Sequence, residues 1–277
     1  MTDEAHQPTP QPVGDLSTAS SQARVQFVGA GPGDPNLLTL GAVDAINRAQ
    51  VIVISCAEHR MLLGSDFLEL RPDVRIVLAG DADEEAVALP SQPGGAPTPV
   101  DVDEHCTDLI ATVIEAASQG LEVVRLVSGD PFLDGDIGAE AAAVARADHD
   151  VDVIPGVTGM TAVPEYAGLI LHGHDVQLIG DAACQRDIAG HGPDWSDQGL
   201  IVVHTSAGKL KEIVKHAVAS GRSEDEPAAL ICHGATTQQI THTVTLGALP
   251  QTAKTARLDS AEPVHVLSLI HISEPTR

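Results

Sequence analysis

Short β-rich runs recur along this chain, and most end in glycine, proline or aspartate before a helical pattern begins. The first, residues 25–29, runs into Gly-Ala-Gly-Pro-Gly-Asp-Pro (29–35), which can be neither helix nor strand interior. Leu37, Leu40, Val43, Ala45 and Ile46 then recur at helical spacing. Further strands are predicted at 51–54, 74–78, 123–127 and 151–154, with helices at 107–119, capped by Gly120, and at 139–147. Residues 79–104, rich in Asp, Glu, Pro and Gly and without periodicity, read as a long loop. Strand, loop and helix in repeated order specify an α/β protein with largely parallel central strands. The rhythm restarts at Pro155-Gly156. From there helices are predicted at 159–167 and 209–220, and strands at 176–180, 200–204, 228–232, 241–246 and 264–267. The expected architecture is two α/β domains, 24–154 and 155–267, sharing a cleft.

Composition narrows the function. Of 277 residues, 43% are apolar but only five are aromatic, so the core must be aliphatic. No apolar run approaches the roughly 20 residues that cross a bilayer. With 15 basic and 39 acidic residues, the net charge of −24 argues against nucleic-acid or anionic-membrane binding. A few local arginines can still dominate a pocket for a small anion. Cys56, Cys106, Cys184 and Cys232 form no C-x-x-C pair, so neither a zinc ribbon nor a disulfide framework is indicated. His172 and His174 have no acidic or thiol partner at ligand spacing and read as turn residues; no metal site is expected. Residues 1–23 are polar and Pro/Ser-rich and read as a disordered leader, not a signal peptide, which points to the cytoplasm. Residues 268–277 break the pattern and read as a non-native tail, with the natural chain expected to continue past Leu267.

Three loops carry the candidate chemistry. Gly29-Ala30-Gly31-Pro32-Gly33-Asp34-Pro35 joins a strand to a helix, where glycines let a ligand approach the backbone. A dinucleotide fingerprint would place its third glycine where Asp34 stands, and an acidic residue where Ser55 ends the second strand, so a nicotinamide reading is poor. Ser128-Gly129-Asp130-Pro131-Phe132 follows the fourth strand, at the strand ends where open parallel sheets bind ligands. Pro155-Gly156-Val157-Thr158-Gly159 leads into a helix with Thr158 placed as its N-cap. His204 and His233 follow strands and are candidate proton acceptors.

In order and spacing these loops resemble the tetrapyrrole methylase family, the S-adenosylmethionine-dependent enzymes of sirohaem and cobalamin synthesis. The resemblance rests on Val25 to Pro35 with Leu37, Leu38, Thr39, Leu40 and Ala42, and on Arg125 to Pro131. Ile154 to Thr158 with Pro164, Tyr166, Ala167, Gly168 and Leu171 is most similar to the uroporphyrinogen-III C-methyltransferase branch, as are His233 to Gln239 with Thr245-Leu246. The second half resembles versions fused to uroporphyrinogen-III synthase in actinobacteria. The resemblance implies two α/β domains, a homodimer, and transfer of methyl groups from S-adenosylmethionine to uroporphyrinogen III, giving precorrin-2. It implies cofactor binding by Pro32, Ser128, Gly129, Asp130, Thr158, Gly159, Thr205 and Ala235, without a metal. The sequence departs from the family where a Tyr-Asp pair is usual and Ile54-Ser55 stands, and where an arginine-bearing run is usual and Leu133-Asp134-Gly135-Asp136 stands. Arg60, Arg71, Arg125 and Arg186 are candidate replacements for the missing positive charge. Two alternatives stay open: another precorrin methyltransferase, since Ser128 to Pro131 also resembles the precorrin-4 type, and, favoured by these departures, a non-catalytic module that binds S-adenosylmethionine or supports a missing synthase domain.

Overall fold

A computed structural model describes residues 24–56, 58–78, 109–135, 137–180 and 195–268. The predicted loop at 79–104, Arg186, Asp136, Cys106, Cys184, the leader and residues 269–277 lie wholly or largely outside these.

The first half forms one sheet from β1 (Arg24–Gly29), β2 (Val51–Ile54), β3 (Arg75–Leu78), β4 (Val123–Val127) and β5 (Asp150–Ile154). Its order is β3-β2-β4-β1-β5 and every pairing is parallel, as the repeated strand–loop–helix rhythm predicts. Alternate side chains feed two cores. Val28, Ile52, Ile54 and Leu126 pack with Ala42 and Ile46 of α1 (Leu40–Arg48) and Leu62 and Leu63 of α2 (Glu58–Leu63). Phe27, Val53 and Val123 pack on the other face with Val113 of α3 (Leu109–Ser118) and Val144 of α4 (Gly138–Arg146). Thr39 starts α1, its hydroxyl accepting the Ala42 N–H at 3.1 Å. Gly120 closes α3 at φ +79°, as read from the sequence.

After α5 (Gly159–Tyr166) the second sheet is built from β6 (Val176–Ile179), β7 (Leu200–Ser206), β8 (Pro227–Cys232), β9 (Ile240–Thr245) and β10 (Pro263–Ser268). Its order is β6-β7-β10-β8-β9. The expectation of largely parallel strands fails here: β6 and β7 are parallel, but the β7–β10, β10–β8 and β8–β9 pairings are antiparallel. The seven-residue link between β8 and β9 is too short for a parallel crossover. The chain then returns through α7 (Leu249–Thr255) and inserts β10 between β7 and β8. Ile201, Val203, Leu230 and Val264 pack against Ile213 of α6 (Leu210–Ala219) and Leu249 of α7. Leu200, Val202, Ile231 and Leu267 face Met160 and Val163 of α5. β10 runs one residue past the predicted end, and the Ser268 hydroxyl accepts from the buried Arg222 at 3.0 Å. The short helices α2 and α7 were not predicted.

Candidate functional site

β4, β1 and β5 are neighbours, so their C-terminal ends bring the three glycine loops side by side. The contact between them is backbone on backbone. A Cβ on Gly29 would lie 2.5 Å from Gly156 Cα, and one on Gly156 would lie 2.1 Å from the Gly129 carbonyl oxygen. No side chain fits at these crossings. Gly31 and Gly129 exchange main-chain hydrogen bonds at 3.3 and 2.8 Å, which joins the first loop to the second. Pro32 projects from the first loop between Gly31 at φ +70° and Gly33 at φ +132°.

Two carboxylates tie the second loop to the third. Asp130 accepts the Phe132 and Leu133 N–H groups on one oxygen, at 3.0 and 3.1 Å, and the Gly156 N–H at 3.3 Å on the other. Asp134 accepts the Asp130 N–H at 2.7 Å and the Thr158 hydroxyl at 2.8 Å. Thr158 in turn accepts the Met160 N–H at 3.1 Å, the N-cap predicted for it. Burial pushes the Asp134 carboxyl above its ordinary range against the opposing pull of these donors. Asp34 is fixed differently. Burial acts to raise it, but hydrogen bonds from Asn36 and from the Tyr166 hydroxyl, at 2.8 Å, bring it below its ordinary value.

The second half closes the site from the other side. A Cβ on Gly33 would lie 3.1 Å from the Thr236 methyl and 3.7 Å from the Ala235 carbonyl oxygen, so the first loop meets the final sequence block. Ala235 is fully buried at φ +54°, with its N–H held by the Gln239 side chain at 2.7 Å. A Cβ on Gly159 would lie 3.6 Å from Pro32 and 3.0 Å from His265 Nε2. The structure therefore gathers Pro32, Gly129, Asp130, Thr158, Gly159 and Ala235, with Ser128 at the exposed end of β4. Thr205 stands apart. Its side chain alternates onto the face of Ile201 and Val203, toward α6 and α7, so a contact with a ligand in the cleft would be through its main chain. His204 is the residue of that pair on the face of Leu200 and Val202, toward α5. Its ring stacks on His265, with centroids 4.6 Å apart and planes at 18°. His233, the other candidate acceptor, lies 3.3 Å from Glu262 instead.

At the end of β2, Ser55 accepts from Arg125 at 3.5 Å. Arg125 is buried and paired with Glu140 at 3.0 Å. Ser128 shares a hydrogen bond with His59 Nε2 at 3.0 Å. His59 is buried, its Nδ1 has no partner among the described residues, and burial with the nearby Arg125 charge pushes its pKa down to about 4. Beside it, burial raises the Cys56 thiol to about 11, which keeps it protonated. Arg71 is exposed and paired with Asp73 at 2.9 Å, and Arg60 is buried. His172 and His174 are exposed, and the described residues contain no group of three or more metal-ligating side chains.

Sequence reasoning missed His59 and His265. Neither lies in a motif; a histidine's surroundings become visible only once its neighbours are known.

Comparison with known proteins agrees with this geometry. The profile of the Tetrapyrrole (Corrin/Porphyrin) Methylases matches residues 24–250. A uroporphyrinogen-III C-methyltransferase of Sinorhizobium sp is 34% identical over 236 residues, covering 82% of this chain and 77% of that protein. Siroheme synthase 1 of Serratia proteamaculans is 32% identical over 246 residues, covering 86% of this chain and 47% of the synthase; the chain thus spans about half the length of such synthases. Among solved structures, a cobalt precorrin-4 methyltransferase superposes with a TM-score of 0.66 at 20% identity, covering 92% of this chain and 98% of that one. The uroporphyrin-III C-methyl transferase of Thermus thermophilus, complexed with S-adenyl homocysteine, gives 0.64 at 22% identity, with the same coverage of each chain. On the profile match and the Sinorhizobium relative together, this chain belongs to the tetrapyrrole (corrin/porphyrin) methylase family.

Proposed function

We propose that the cleft binds S-adenosylmethionine and transfers methyl groups to ring carbons of uroporphyrinogen III, in the direction of precorrin-2. The observation that carries this reading is the convergence of the three glycine loops with the Gly234–Thr236 turn of the second half, in a chain of the methylase family. The donor set fits the cofactor. Pro32, Ser128, Gly129, Asp130, Thr158, Gly159, main-chain Thr205 and Ala235 form its proposed binding set. Main-chain groups of the loops suit its ribose and amino-acid tail, and Pro32 beside the turn that holds Ala235 suits the adenine. The Asp134 carboxylate supplies negative charge for a ligand that carries a sulfonium.

When bound, the cofactor supplies an electrophilic methyl group for in-line displacement. The residues of this chain have to hold both reactants aligned and exclude water, an effect worth up to about 7–11 kcal/mol in favourable cases. Asp134 does not confront the substrate as a bare charge, because both its oxygens are spent on donors of the protein itself. Within this reading 24–154 and 155–267 act as two domains about the cleft, and the enzyme works as a cytoplasmic homodimer.

Isothermal titration with S-adenosylmethionine, followed by a single-turnover assay with uroporphyrinogen III, tests the proposal. Binding with a methylated, red-fluorescing isobacteriochlorin after oxidation is the expected result. Binding without methylated product would move the reading to a non-catalytic binding module, and a differently methylated corrin precursor would move it to another precorrin methyltransferase.

A further inference from the structure

His204 and His265 are direct cross-strand partners on β7 and β10. Both side chains lie on the face that carries Leu200, Val202 and Leu267, toward α5 and the glycine loops. Both are partly exposed, and the space beside the His265 ring exists because position 159 is glycine. Asp134 of the second loop, bonded to Thr158 at the start of α5 next to Gly159, interacts electrostatically with His204. The two stacked rings therefore sit beside the start of α5, where Asp134 and Thr158 join the second loop to the third.

We propose that His204, stacked on His265 beside the start of α5, accepts the proton that the tetrapyrrole gives up after methylation. This rests on the methyltransferase reading above. In the step, the ring-carbon π electrons form the new C–CH3 bond and the S–C electrons return to sulfur, which leaves as a neutral thioether. The pyrrole unit is left cationic. It regains neutrality by losing its N–H proton to the imidazole of His204, which becomes imidazolium and later releases the proton to water. Asp134 stabilises that imidazolium.

The charged and titratable groups near His204 include Asp134 of the second loop and His265 of β10. Burial, and then the neighbouring His204, push His265 down to about 3, so it stays neutral and is a stacking platform rather than a second acceptor. His233 lies 3.3 Å from Glu262 and is not part of the stacked pair.

The test combines single turnover over a pH series with histidine NMR titration, on the wild-type chain and the variants H204Q, D134N and H265F. H204Q is expected to keep S-adenosylmethionine binding, lose about 100-fold or more in rate, and lose the fall in rate at acid pH. Because the Asp134 charge favours imidazolium, D134N should move both the acidic limb and the His204 NMR titration to lower pH. H265F, which keeps a flat ring, should retain the limb. An active wild-type chain with an equally active H204Q overturns the proton role alone. So does a His204 titration that D134N leaves in place, a readout independent of turnover. A wild-type chain that binds the cofactor but methylates nothing overturns the functional reading, and the proton role with it.

Discussion

Thr158 donates its hydroxyl hydrogen bond to Asp134 at 2.8 Å, so the N-cap of α5 is anchored to the loop that follows β4. This bond couples the helix start to the second glycine loop across 24 residues of sequence. D134A and T158V should each lower stability by about 1–2 kcal/mol, the worth of a buried polar contact. Because both remove one shared interaction, the double variant should lose less than the sum, with a coupling of about 0.5–3 kcal/mol. Urea denaturation of the four proteins measures it, and additive losses would show that the bond carries no energy.

The crossing of Gly156 and Gly129 predicts a sharp contrast between glycines. In G156A the new methyl would lie 2.1 Å from the Gly129 carbonyl oxygen, so the loops that follow β5 and β4 would have to separate. A loss of about 3 kcal/mol or more, or failure to fold, is expected. G120A places its methyl where nothing lies within 4 Å and pays only for a left-handed backbone at φ +79°, about 1–2 kcal/mol. Similar melting temperatures for the two variants would contradict the packing.

Why the first half was legible and the second less so follows from particular residues. Residues 51–54 are an unbroken run of β-formers and 123–127 are apolar but for Arg125, both bounded by turns, the signature of strands buried on both faces in a parallel sheet. The run at 264–267 carries the same signature but says nothing about direction, and β10 inserts antiparallel between its neighbours. The helix Leu249–Thr255 was hidden because it is short and holds Pro250, which is tolerated in a first turn. The three glycine loops were readable because glycine and proline are needed there. One available signal went unused: strict alternation along residues 200–206 puts His204 with Leu200 and Val202, and sends Thr205 to the opposite face. His265 had no such signal, since its partner lies 61 positions away and only the register joins them.

Two histidines, His59 buried and His265 half-buried, set an acid-side pH dependence. In the folded chain His59 is held down to about 4 and His265 to about 3, whereas both sit near 6.5 when unfolded. Between those values the unfolded state binds more protons, so stability rises with pH across this window and falls on acidification below about 6.5. For His59 the effect is at most about 3 kcal/mol. Unfolding free energies measured from pH 7 to pH 4 should drop, and the drop should be smaller in H59Q. An identical slope in H59Q would mean that the imidazole is not held neutral.

Arg125 connects the missing acidic residue of β2 to the buried charge beneath it. Its guanidinium is paired with Glu140 at 3.0 Å and reaches Ser55 at 3.5 Å. E140Q leaves that charge without a carboxylate in a buried position, which should cost about 3 kcal/mol or more. S55D places a carboxylate within reach of the same guanidinium and at the position where the family resemblance calls for one. The loss from E140Q should therefore be smaller in the S55D background, because the new carboxylate takes over as counter-ion. Denaturant unfolding of wild type, E140Q, S55D and the double variant gives the comparison. An equal loss in both backgrounds would mean that position 55 does not share the Arg125 charge, and that an aspartate restored there faces the cleft unpaired.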